Sequence, residues 1–77
     1  MTPKTLARLI RFEAVRDRLV HQPFCNISDL AYQFGYADQA HFIHEFRAFS
    51  AWTPRTFATQ VQARQAEQHN ADFLQYS

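Results

Sequence analysis

The chain has 77 residues, 47% hydrophobic and 19% charged, with a formal net charge of +1. That length holds one domain, near the size where a single core becomes marginal, and that composition excludes disorder throughout. A charge of +1 does not by itself point to nucleic acid, because a module that neutralises phosphates is usually more basic.

Eight Phe, three Tyr and one Trp supply much buried area per residue, which is how a short chain holds a core. One Gly and three Pro leave few sites for tight turns. An all-α chain of about four helices with short connections is therefore expected, not a hairpin-rich sheet. The lone Cys25 excludes an internal disulfide framework and fits a reducing cytoplasm. The sequence has no long apolar run and no charged-then-apolar leader, so it reads as soluble, with no membrane partner.

Thr2-Pro3 marks the first helix start: Thr2 can cap free amides, and Pro3 lacks an N–H that would go unpaired. Lys4 to Val20 follows without a breaker, and Pro23 ends the segment. Its apolar residues form two stripes at helical spacing. Leu6, Leu9, Ile10 and Val20 make one; Phe12, Val15 and Leu19 make the other. A helix apolar on two faces wants two neighbours. Arg8, Arg11, Arg16 and Arg18 read as an exposed face interleaved with Glu13 and Asp17, Arg11 alternatively anchoring the helix through Asp29 or a carbonyl.

Asn26 opens a short second helix, Ile27 to Phe34, with Asp29 in a position resembling a capping box. Leu30, Ala31 and Phe34 form its buried stripe, and Gly35 follows where a left-handed residue closes a helix. Cys25, just before it, reads as a buried, inert thiol. After Tyr36 and Ala37, Asp38 caps a third helix reaching Ser50. Phe42, Phe46 and Phe49 recur at i, i+4 and i+7 and face the core. The opposite face carries Gln39, Ala40, Ile43, His44 and Arg47. Trp52 reads as a core plug. Thr53-Pro54 repeats the start signal for a fourth helix to about Gln68, with Phe57 and Val61 inward. The remainder, with Phe73, Leu74 and Tyr76, reads as a frayed tail, or alternatively as a short docking segment.

Two helices joined by a Gly-containing turn, the second offering polar side chains from its first turns, form a helix-turn-helix. The first helix buries itself behind so that the second, residues 38–50, can enter the DNA major groove. Gln39 suits a two-point hydrogen bond to adenine, and His44 can donate to guanine or a phosphate. Ala40 and Ile43 suit a thymine methyl, and Arg47 a phosphate. These assign Gln39, Ala40, Ile43 and His44 to bases, and His41, Arg47, Thr53 and Arg55 to the DNA backbone. His41 and His44, at i, i+3, lack third and fourth ligands at obvious spacing, so no metal is expected. The Phe stripe reads as core, not as a stacking platform for single strands. No Gly-rich phosphate loop and no nucleophile with a base and an orienting acid is evident, so neither catalysis nor a cofactor is expected.

The stretch Ile27 to Arg47 (ISDLAYQFGYADQAHFIHEFR), followed by Trp52 to Phe57 (WTPRTF), resembles the second helix-turn-helix of the AraC/XylS family of bacterial transcription regulators. Pro3 to Glu13 (PKTLARLIRFE) resembles the end of that family's first helix-turn-helix region and its long linker helix. The resemblance covers about residues 2 to 59. It implies a homeodomain-like helix-turn-helix fold, with 1–22 as linker helix, 26–68 as helix-turn-helix subdomain with a supporting helix, and 69–77 as tail. It implies double-stranded DNA as partner, transcription regulation (activation among its modes), a cytoplasmic location, and RNA polymerase as a partner open to the parent protein. It also implies that the first helix-turn-helix and any effector-binding domain lie outside this chain.

Three departures stand out. The family often has Arg where His44 stands, a basic residue near Ala48, and Gly where Ala51 stands. Lost cations mean fewer phosphate or guanine contacts, so weak binding by this chain alone is expected. Ala51 either avoids a left-handed conformation or accepts strain. Two other functions remain alongside DNA binding: self-association or protein interaction through the stripe Leu6, Leu9, Ile10 and Val20, or a truncated fragment without an independent role.

Overall fold

Four helices follow one another along the chain: α1 (Pro3–His21), α2 (Ile27–Gln33), α3 (Gln39–Ser50) and α4 (Pro54–Tyr76). The computed structural model describes the backbone of residues 1–76 and the side chains up to Glu67. Among the described residues there is no strand, and no helix is long and apolar enough to cross a membrane.

Each helix start has a local cause. Thr2 is extended, and its Oγ1 accepts from the Thr5 N–H at 3.1 Å, with Pro3 next in the chain. Asn26 Oδ1 accepts from the Asp29 N–H at 3.1 Å. No return bond from the Asp29 carboxylate accompanies it among the described residues, because Asp is a methylene too short for a full capping box. Asp38 Oδ1 accepts from the His41 N–H at 2.7 Å, and Thr53 Oγ1 from the Thr56 N–H at 3.1 Å.

The helix ends differ. α2 closes at Gly35, with φ at 79°, where the Tyr36 N–H reaches the Ala31 carbonyl and the Gly35 N–H reaches that of Tyr32. This paired closure satisfies two free carbonyls and needs the left-handed residue that Gly supplies without a Cβ penalty. α3 closes at Ala51, with φ at 68°, donating to the Arg47 carbonyl at 2.8 Å. Of its two alternatives, Ala51 takes the strained one, at roughly 1–2 kcal/mol.

One core joins all four helices: Phe12, Val15 and Leu19 from α1, Leu30 and Ala31 from α2, Phe42 and Phe46 from α3, and Ala58 from α4, with Tyr36 from the turn. Its centre is aromatic. Phe46 packs edge-on against Phe12 at 5.1 Å and Phe57 at 5.5 Å, while Phe12 stacks on Phe49 at 5.3 Å. Edge and offset contacts of this kind add about 0.5–1.5 kcal/mol per pair beyond the area they bury.

Several expectations change here. Trp52 is no core plug: it is 42% exposed and leans its edge on Phe57. Cys25 is half-buried, because the short α1–α2 connection lies at the rim of the core. Phe49 is also half-buried, one turn beyond Phe46 where α3 leaves the centre. The α1 stripe of Leu6, Leu9, Ile10 and Val20 splits. Leu9 packs against the core, while Leu6, Ile10 and Val20 stand exposed, Val20 at the rim of the groove between α1 and α4. The fourth helix does not stop near Gln68 but runs to Tyr76, since no Gly or Pro interrupts 68–76. The docking alternative for Phe73, Leu74 and Tyr76 concerns side chains outside the described residues.

Candidate nucleic-acid interface

α3 has an inner face of Phe42, Glu45 and Phe46, all buried, and an outer face of Ala40, His44 and Arg47, all exposed. The inner face sets the helix on the molecule. Glu45, 1% exposed, is the buried charged residue of the described chain. Arg11 grips it with two bonds, Nη2 to Oε1 at 2.7 Å and Nε to Oε2 at 3.1 Å. Arg8 adds a third, Nε to Oε1 at 3.1 Å. A two-point fork of this kind fixes direction as well as distance, so it ties α3 to α1 in one rotational setting.

The surroundings reinforce the pair. The Arg11 guanidinium lies 4.3 Å from the Tyr36 ring centre, and that of Arg8 5.6 Å from the Phe49 ring centre. Burial pushes the Glu45 carboxyl up, but hydrogen bonds led by Arg11 outweigh it and hold the group below its ordinary value. The same bond raises Arg11 further. Tyr36 is raised, first by burial and then by the Glu45 carboxylate beside it. Its hydroxyl is buried with no hydrogen-bond partner among the described groups.

This pairing corrects the expectation for the α1 arginines. Arg11 anchors neither Asp29 nor a carbonyl but Glu45, and Arg8 shares the task. Arg16 and Arg18 cover the rings of Phe12 and Phe34 at 5.5 Å each, and Arg18 also donates to Gln33 Oε1. The apolar members of the inner stripe do not by themselves reveal Glu45. A signal was present: a carboxylate three residues after Phe42 and one before Phe46 shares their face and requires cations opposite.

The outer face divides into two groups. Ala40, Ile43, His44 and Arg47 line one shallow depression together with Ala48. Ile43 is half-buried there, while His44 and Arg47 make no side-chain hydrogen bond or ion pair among the described residues. Gln39, the first residue of α3, lies apart from this row. It shares a polar cleft with Ser28 of α2 and with Arg55 and Thr59 of α4. Its Oε1 accepts from the Ser28 hydroxyl at 2.7 Å.

The remaining two residues close turns. His41 accepts the Ala37 N–H on Nδ1 at 3.2 Å and stands edge-on to Tyr36. Thr53 is half-buried as the cap of α4 and donates to Thr56 Oγ1 at 2.9 Å. The structure thus gathers four of the eight named residues in one depression and two in the neighbouring cleft. His41 and Thr53 belong to neither lining.

Chemically, the depression offers methyl groups, an imidazole and a guanidinium. The cleft offers an amide, hydroxyls and a second guanidinium. Groups of these kinds can hydrogen-bond or pack against base edges and phosphates. A family model described as a helix-turn-helix domain matches residues 1–60. No curated protein and no solved structure matches the chain.

Proposed function

The chain belongs to the helix-turn-helix domain family, of the AraC type, and from that membership we propose that it binds duplex DNA sequence-specifically as part of a bacterial transcription regulator, with α3 in the major groove. The family is one of DNA-binding domains of transcription regulators, not of enzymes. The observation that carries the finer proposal is the contrast between the faces of α3. The inner one is tied to α1 by three charge-assisted bonds, and the outer row Ala40, Ile43, His44 and Arg47 is unencumbered. A reading element needs both, a rigid setting and a free edge.

In this proposal Gln39, Ala40, Ile43 and His44 meet bases, and Arg47 and Arg55 meet phosphates. His41 and Thr53 approach the backbone from the turns they close. α1 serves as the linker helix of a two-part reader, with exposed Leu6 and Ile10 facing its neighbour. The parent regulator acts in the cytoplasm beside its DNA, where RNA polymerase is open to it as a partner.

Selection from a random duplex library at fixed salt, followed by titration of the enriched site, tests this. The Gln39→Ala, His44→Ala double variant should lose at least about tenfold in affinity, since each base contact carries roughly 1–3 kcal/mol. Unchanged affinity, or no enriched sequence at all, overturns the proposal. The exposed pair Leu6 and Ile10, at 48% and 58%, favours one second reading, self-association through α1. Sedimentation across concentration decides it, and a strict monomer at high concentration removes it.

A further inference from the structure

From the contact between α2 and the start of α3 we infer that Ser28 is a specificity-determining positioning residue, which orients the Gln39 amide so that it reads as a hydrogen-bond donor. This rests on the DNA-binding function proposed above and assigns it a finer chemistry.

Gln39 is exposed and begins α3, so nothing in the core restrains its side chain. A free glutamine can turn either end of its amide outward, offering two N–H donors or a carbonyl acceptor. Here the carbonyl end is engaged. The Ser28 hydroxyl donates to Gln39 Oε1 at 2.7 Å, across 11 residues of sequence and between two different helices. The carbonyl end therefore faces α2, and the Nε2 end has no hydrogen-bond partner among the described residues.

Ser28 itself is well held. It lies two residues after the Asn26 cap, in the first turn of a helix that buries Leu30 and Ala31 beneath it. The reference point for the amide is thus a rigid element and not a loop. Held in this way, Gln39 presents a donor to the groove. Guanine N7 and O6, adenine N7 and thymine O4 all accept there. Cytosine offers only its N4 amino group, a donor, and two donors facing each other repel. The expected discrimination at this position is against cytosine in the contacted strand. That is narrower in cause, and broader in the bases accepted, than a two-point adenine contact. Without the Ser28 hydroxyl the amide is free to turn over, and its carbonyl can then accept from cytosine.

The test uses the 77-residue chain in two measurements. In the DNA-free protein, the Gln39 side-chain amide signals in a nitrogen–proton NMR spectrum should shift in Ser28→Ala and stay near their wild-type positions in Ser28→Thr, which keeps the hydroxyl. Library selection should then show wild-type protein disfavouring cytosine at one position by at least about fivefold, the lower end of single-contact discrimination. Ser28→Ala should flatten that position to within about twofold, Gln39→Ala should flatten the same one, and Ser28→Thr should keep it.

If Gln39→Ala flattens a position that Ser28→Ala leaves untouched, Ser28 has no such role while DNA binding stands. A uniform loss of affinity in Ser28→Ala, with every base preference intact, also overturns the inference. If the wild-type chain enriches no sequence, the DNA-binding proposal fails, and this one with it. An amide signal insensitive to Ser28→Ala overturns the inference whatever the DNA result.

Discussion

On the inner face of α3, Phe42 and Phe46 are fully buried and Glu45 is gripped by two arginines. On its outer face, Ala40, His44 and Arg47 are exposed, with no ion pair among the described residues. The two faces belong to one helix of twelve residues, so propensity and capping are common to both. What separates them is restraint. A carboxylate in the core is costly unless its partners are fixed in direction, and that requirement turns Glu45 into a rotational stop for the whole helix. The outer side chains inherit a defined bearing from a contact they do not make.

If that division is sound, changes on the inner face should move stability, and changes on the outer face should move affinity alone. The largest break comes from Phe46→Ala, which removes the ring shared by Phe12, Phe42 and Phe57. A loss of about 3–5 kcal/mol is expected, a large part of what so small a domain has. Chemical denaturation read by circular dichroism measures it. Survival of a cooperative transition with an unchanged midpoint would contradict this account of the core.

Glu45→Ala should cost less, about 1–3 kcal/mol, because Arg8 and Arg11 are partly exposed and water can replace their partner. This variant also has a pH signature. The folded Glu45 carboxyl lies below its ordinary value of 4.5. Its stabilising contribution is therefore fully present above pH 4.5 and is lost as pH falls through the folded value. Denaturation midpoints taken from neutral pH into that acid range should fall for wild type, and part of the fall should be missing in Glu45→Gln. A matching acid limb in both proteins would mean that other carboxylates carry it.

The outer face should answer in a different observable. Arg47→Ala should leave the unfolding midpoint within about 0.5 kcal/mol of wild type, as surface changes usually do. It should also lower the salt dependence of DNA affinity by about one unit of slope. His44→Arg should do the reverse, raising both affinity and slope by adding a cation to the depression it shares with Arg47. A shift in midpoint without a shift in slope would erase the distinction between the faces.

The smallest effect calibrates the stability axis apart from either face. Gly35 and Ala51 both sit in the left-handed region, at φ 79° and 68°. Gly35→Ala should destabilise by about 1 kcal/mol through the backbone alone, since an added Cβ would meet nothing within 4 Å. Ala51→Gly should stabilise by ~0.5–1 kcal/mol, the relieved strain less the entropy that Gly loses on folding. Neither should change the DNA slope.

Much of this molecule was legible in its residues. Thr2-Pro3, Asn26, Asp38 and Thr53-Pro54 announce four helix starts because a capping oxygen acts within three residues of itself. Gly35 announces an end for the same local reason, and Phe42 with Phe46 announces the inward face because helical period is a property of one segment. The row Ala40, Ile43, His44 and Arg47 follows as the complement of that stripe. All of these depend on near neighbours in the chain, and near neighbours are what a sequence displays.

Other features were decided by distance in space. The partners of Glu45 lie 34 and 37 residues earlier, and no local pattern joins them. The apolar stripe of α1 could not reveal that Leu9 packs against the core while Leu6, Ile10 and Val20 stand exposed. Nor could Gln39 reveal that its amide is held from a different helix. By itself the sequence determined where each helix starts and which side of α3 is apolar. The tertiary structure decided how α3 is turned and which of its polar groups are already engaged, because an orientation needs two elements to define it.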